Sequence, residues 1–168
     1  MERTLDPARL GDHLDRLYRA AWAFTGSRED AEDLVQETYA RVLGRPRFLR
    51  NEDDLGYLLR ALRNTFLTQK RTESRRLRPE PLPDALDLVA DPHARRPENA
   101  LEASELYSAI AALPDEFRDV LVAVDVTGLS YKEAARALKI REGTVMSRLY
   151  RARQQVVRRI EGGSAGPG

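Results

Sequence analysis

The sequence contains no cysteine, which excludes disulfides, thiolate metal sites and thiol redox sensing and fits a reducing compartment. Histidine is almost as scarce. His13 and His93 stand alone, and two isolated imidazoles make no metal site without acidic ligands at fixed spacing. No apolar run approaches the ~18 residues of a membrane span, and Met1 to Leu10 carries Glu2 and Asp6 where a signal peptide would be apolar. We therefore expect a cytoplasmic chain without membrane insertion. No glycine-rich phosphate loop and no nucleophile–base pair is visible, so no enzyme activity and no cofactor are expected. Alternating apolar and polar residues are missing as well, and no strand is expected.

What is present is a chain of 168 residues with 42% hydrophobic and 33% charged side chains, enough for two small domains with modest cores. The net charge of +1 conceals strong segregation. Residues 12–44 hold seven acids against four arginines, whereas 45–78 hold ten basic residues against four acids. The sign then reverses twice more: residues 79–102 carry six acids and two arginines, and residues 130–160 nine basic residues and two acids. Two basic blocks separated by acidic ones point to two nucleic-acid contacts and at least one further partner. Solvated helix faces are the alternative.

Apolar residues at Leu10, Leu14, Leu17, Tyr18, Ala21 and Trp22 predict an amphipathic helix from Leu10 to Phe24, closed by Gly26. Ser27 is set to cap a second helix, with Asp30 three residues on in the place of a capping-box acid, running to about Leu43 before Gly44 and Pro46. A third helix from Glu52 or Asp53 places Leu55, Leu58, Leu59, Leu62 and Phe66 on one face. Residues 78–97 hold five prolines and read as an extended linker. Helical pattern returns from Glu98 to Leu113 and again, after Pro114, from Asp115 to about Val126. Gly162 to Gly168 reads as a disordered tail.

The most informative stretch is Leu129 to Arg153. Ser130 and Glu133 form a capping box opening a short alanine-rich helix, a tight turn spans Lys139 to Arg141, and a longer helix starts at Glu142. Val145, Leu149, Ala152 and Val156 would face inward, leaving Ser147, Arg148, Tyr150, Arg151 and Gln154 or Gln155 outward. This is the pattern of a helix-turn-helix, the alanines letting the two helices cross closely. A plain helical hairpin with a solvated basic face is the alternative. Along Tyr57 to Arg71, Tyr57, Asn64, Phe66 and Gln69 lie among basic residues, a mixture suited to unstacked bases, although both rings could equally belong to the core.

Four segments in order, Asp30 to Thr38 (DAEDLVQET), Tyr57 to Asn64 (YLLRALRN), Leu113 to Arg118 (LPDEFR) and Gly128 to Arg153, resemble the group IV, or extracytoplasmic-function, sigma factors of bacterial RNA polymerase. The resemblance covers roughly residues 10–160. It implies an all-α protein of two small helical domains: sigma region 2 over 10–76 and sigma region 4 with its helix-turn-helix over 98–161, joined by a Pro-rich linker at 77–97 and followed by a tail at 162–168. Region 2 would bind the clamp helices of core RNA polymerase and melt the −10 element of promoter DNA; region 4 would bind the flap and read the −35 element. An anti-sigma factor is a further implied partner, and the active protein would be nucleoid-associated. By the same resemblance Asp30, Asp33, Gln36 and Glu37 would meet the clamp, Tyr57, Arg60, Arg63 and Asn64 the −10 DNA, and Lys132, Ser147, Arg148, Tyr150 and Arg151 the −35 DNA. Residues 45–54 would form the loop receiving a flipped −10 base. Tyr57 stands where a tryptophan is usual, Lys139 where a glycine is common, Arg141 where a proline or small residue often stands, and Met146 where a basic residue is frequent. A stand-alone helix-turn-helix regulator of duplex operator DNA is the alternative function.

Overall fold

The computed structural model describes residues 3–4, 11, 13–44, 48–49, 54–75 and 97–164. Seven helices make up its framework: α1 (Leu14–Thr25), α2 (Arg28–Gly44), α3 (Asp54–Arg75), α4 (Pro97–Ala111), α5 (Asp115–Leu121), α6 (Tyr131–Leu138) and α7 (Glu142–Ser164). Their ends follow local chemistry. Gly26 adopts φ 76° and its N–H bonds back to the Trp22 carbonyl at 2.7 Å, a left-handed stop that a side chain would resist. Ser27 Oγ accepts from the Asp30 N–H at 3.3 Å and opens α2. At α6 the capping box is complete, Ser130 Oγ accepting from the Glu133 N–H at 3.0 Å and Glu133 Oε1 from the Ser130 N–H at 2.9 Å.

The apolar faces expected of α3 and α7 are inside. Leu55, Leu58, Leu59, Leu62 and Phe66 are buried on α3, and Val145, Leu149, Ala152 and Val156 on α7. Helix α1 differs from the one-sided helix that its spacing suggests, because Ala20, Ala21, Trp22, Ala23 and Phe24 are all buried in succession. It has helices on two sides: α2 and α3 pack on one, α4 and the continuation of α5 on the other. The three alanines leave room for that close double packing. The two helical halves, α1–α3 and α4–α7, thereby share one continuous core.

Three expectations need correction. A short antiparallel pair, β1 (Arg3–Thr4) with β2 (Phe48–Leu49), stands where no strand was expected; Arg3 faces Leu49 and Thr4 faces Phe48. The helix from Asp115 changes character at Val122–Val126, which is π-helical, with the Thr127 N–H reaching the Val122 carbonyl at 2.9 Å. The α7 helix continues through Gly162 and Gly163 to Ser164, so the C-terminal tail begins later than its composition suggests; two glycines weaken a helix without the steric block of a proline. The linker expected before Pro97, most of the loop at 45–54, Leu10 and the final four residues lie outside the described residues.

The turn between α6 and α7 places Lys139 at φ 57° and ψ 46°, left-handed as a turn of this type requires. A side chain there costs about 1 kcal/mol against glycine, partly offset by the larger unfolded-state freedom of glycine. Lys139→Gly should raise the thermal midpoint of the chain slightly, by the equivalent of roughly 0.5 kcal/mol. A differential scanning measurement in which the midpoint falls instead would refute that account of the turn.

Candidate nucleic-acid interface

Helix α7 is held by its inner face, so its outer face is fixed in direction. Ser147, Tyr150, Arg151 and Gln154 are exposed along it, and Lys132 is exposed on α6 beside it. No described residue pairs with Arg151 or Lys132. Arg148 is half-buried and leans toward Glu116 of α5 at 3.8 Å, which turns it to the side of the outer face. Tyr150 is 65% exposed, its hydroxyl accepting from the Gln154 amide at 3.1 Å. Ser147 Oγ donates to the Thr144 carbonyl at 3.2 Å and keeps its lone pairs outward.

Arg153, which spacing alone leaves outward, is committed elsewhere. Its Nε and Nη2 donate to the two carboxylate oxygens of Asp125 at 2.9 and 2.7 Å. Those hydrogen bonds hold its guanidinium even further above its ordinary pKa. The pair ties α7 to the π-helical turn and so fixes the angle at which the recognition face stands. Met146, 54% exposed, adds an apolar contact point next to Ser147.

On the other half, Asp33 and Gln36 are exposed on α2, as is Asp30 at its start. Glu37 is half-buried: it accepts from Arg41 at 3.0 Å and also from the Gln69 amide of α3. Asp30, Asp33 and Glu37 line one wall of an open groove of about 540 Å³, with Phe66, Gln69, Lys70 and Glu73 of α3 opposite.

The four residues expected at the −10 DNA are separated by the fold. Asn64 is exposed and Arg60 half-exposed on α3. Tyr57 is 7% exposed and belongs to the core, where it supports α3 and presents no ring face to a base. Arg63 donates through Nε to Asp119 Oδ2 of α5 at 2.6 Å, across the boundary between the halves.

The residue that sequence reading passed over is Arg118, quoted only as part of LPDEFR. It is 2% exposed, donates to the carbonyls of Ala111 and Leu113 at 3.4 and 3.5 Å, and pairs with Asp115. Its guanidinium lies 5.0 Å from the Phe66 ring and 5.7 Å from the Phe24 ring. Arg118 Nε and Asp119 Oδ1 have no partner among the described residues. An arginine three residues after an aspartate in a short helix was the available signal, but that pattern is common on exposed helices.

Burial raises the pKa of Asp119, and the neighbouring Arg63 and Arg118 only partly oppose it. The folded chain thus holds the Asp119 proton to higher pH than the unfolded chain, so this group's contribution to stability declines as pH rises from about 4 through its folded pKa. In denaturant titrations, Asp119→Asn should gain on the wild type as pH rises across that window. A pH-independent difference would refute it.

Family models of known proteins match both halves: sigma-70 region 2 over residues 10–76 and sigma-70 region 4 over residues 103–156. The extracytoplasmic-function RNA polymerase sigma factor SigE of Mycolicibacterium smegmatis is 40% identical over 150 residues, spanning 86% of this chain and 57% of that protein. EcfG of Rhodopseudomonas palustris, also an extracytoplasmic-function sigma factor, is 31% identical over 137 residues, 81% of this chain and 74% of its own. Among solved structures, the sigma factor RpoE from Bartonella quintana, crystallised with the anti-sigma factor NepR, superposes with a TM-score of 0.64 at 23% identity, covering 92% of this chain and 95% of that one. CnrH, in complex with the cytosolic domain of CnrY, gives 0.64 at 22% identity over 92% and 86%. At those identities the two structures speak for the fold.

Proposed function

The chain belongs to the extracytoplasmic-function sigma factors, and from that premise we propose that it binds core RNA polymerase and directs promoter-specific initiation, region 4 reading the −35 element and region 2 opening the −10 element. The observation that carries the reading is the pairing of both region matches, in order, with a helix-turn-helix that leaves Arg151 and Lys132 exposed and unpaired. Among the described residues no helix is long and apolar enough to cross a membrane. The chain works in the cytoplasm, on the nucleoid when active, and an anti-sigma factor controls its release. Residues 10–76 serve as the polymerase-clamp and −10 unit, 98–161 as the −35 unit, and 77–97 as the connection.

Charge supports the division of labour. The exposed carboxylates Asp30 and Asp33, with Gln36 and Glu37 behind them, present an acidic face to a basic partner such as the clamp helices, and they would repel DNA. The basic face of α6 and α7 does the opposite. An arginine can donate two hydrogen bonds to guanine O6 and N7, whereas a lysine near a phosphate adds affinity without preference. Arg151 takes the first role and Lys132 the second, with Ser147 and Tyr150 beside them. Arg148, turned toward Glu116, sits at the edge of the footprint and reaches a phosphate. On α3, Asn64, Arg60 and Arg63 face the −10 strand.

Run-off transcription with core polymerase of the source bacterium on its fragmented genomic DNA, read by sequencing, tests the reading directly. Transcripts starting downstream of a shared two-part motif are expected, and tight binding of that duplex without polymerase would favour a stand-alone regulator. Asp33→Lys should weaken core binding at least tenfold with helical content unchanged; Glu37 is the poorer probe because it also holds Gln69. On promoter variants, Arg151→Ala should relax the preferred base at one −35 position by about 1–3 kcal/mol, while Lys132→Ala weakens all variants alike and lowers the salt slope by about one unit. If Arg151→Ala scales every variant equally, the assigned reading face is wrong.

A further inference from the structure

We propose that the packed arrangement of the two helical halves is a closed state that must open before the chain can engage a promoter, with the α1–α4 seam and the Arg63–Asp119 contact as its latch. The inference rests on the sigma-factor reading, because the required span comes from the promoter. Elements named −10 and −35 are centred 25 positions apart, roughly 85 Å of duplex at 3.4 Å per step. A packed chain of this length measures only about 40 Å across. Between Arg75 and Pro97 lie 21 residues, which reach at most about 70 Å when extended. Two halves of about 20 Å each, separated by such a tether, cover the promoter distance; the same halves packed together do not.

The closed form also occupies a group that the open form needs. Arg63, on the helix proposed to face the −10 strand, is held by Asp119 of the other half, and the two side chains are 31% and 11% exposed. While that contact stands, Arg63 is answered by an internal carboxylate in place of a phosphate.

The seam is built to part. Each half keeps its own apolar interior, Leu34, Leu55, Leu58 and Leu62 in one and Ala134, Val145, Leu149 and Ala152 in the other. Between them, Trp22 stacks on Tyr107 with centroids 4.2 Å apart, and Gly26 lies so near α4 that a Cβ built on it stands 3.2 Å from the Ala111 Cβ. The unpartnered Arg118 Nε and Asp119 Oδ1 belong to the two residues that reach across, and groups left unsatisfied when closed regain water on opening. Burial of Asp119 outweighs its pairing with Arg63, which keeps that contact weak.

The sequence supplies two clean probes, since it has no cysteine and a single tryptophan, Trp22, which lies on the seam at 5% exposure. A Gly26→Cys/Ala111→Cys chain can form one disulfide only, after a few tenths of an ångström of adjustment toward the usual Cβ separation. With core polymerase in the sequencing assay above, the oxidised chain should lose initiation at least tenfold, and reductant should restore it. Ala111→Glu places bulk and charge against the groove walled by Asp30, Asp33 and Glu73; it should shift Trp22 emission of the free chain to the red with helical content retained. Equal initiation by oxidised and reduced chains overturns the closed-state proposal, as does unchanged emission in folded Ala111→Glu. If neither wild type nor the reduced chain initiates at all, the sigma-factor reading fails first and takes the proposal with it.

Discussion

A buried guanidinium organises this molecule. Arg118 is almost wholly removed from water, and an arginine cannot shed its charge to relieve that burial. The chain answers with what surrounds it: the last carbonyls before α5, a neighbouring carboxylate, and two phenylalanine rings from the other half. Satisfying the charge locks the corner from α4 into α5. It also draws Phe24 and Phe66 over that corner, so α1 and α3 are positioned by the same group. Burial of the charge is therefore linked to the fit between the halves, and through α5 to the seat of the helix-turn-helix, since α5 packs on both α6 and α7.

Local chemistry was legible in the sequence wherever a residue acts on its own neighbours. The Ser130–Glu133 box, the left-handed Lys139, the stop at Gly26 and the inner faces of α3 and α7 each depend on a few residues of contiguous chain. What was not legible depends on residues far apart. Apolar spacing gives α1 one face, yet the burial of Ala20 to Phe24 on all sides follows from a second layer that spacing cannot announce. Tyr57 and Phe66 read equally well as base-stacking rings or as core, and both are in the core. Arg153 and Arg151 are two positions apart and look alike in sequence. Only the approach of Asp125 shows that one is a strut and the other is open to a ligand.

The same division runs through the surfaces. An acidic helix and a basic one in a single chain cannot serve a single polyanionic partner, so the segregation of charge along the sequence is already a statement about two kinds of neighbour. The fold adds which charges remain available. Asp33 and Lys132 keep theirs for a partner, whereas Glu37, Arg63 and Arg153 spend part or all of theirs inside the molecule.

The π-helical turn carries a consequence for how the recognition helix is aimed. An α-helix advances about 100° per residue, so the surplus residue within Val122–Val126 rotates everything after it by that angle. This phase lets Val122 and Ala123 stay inside the core while Asp125 meets Arg153. Deleting one residue would relax the stretch to ordinary helix and carry the carboxylate out of reach, although neither end of the segment need move. The angle of α7 is thus written partly as a residue count, a form of encoding that single substitutions cannot erase but a one-codon deletion can.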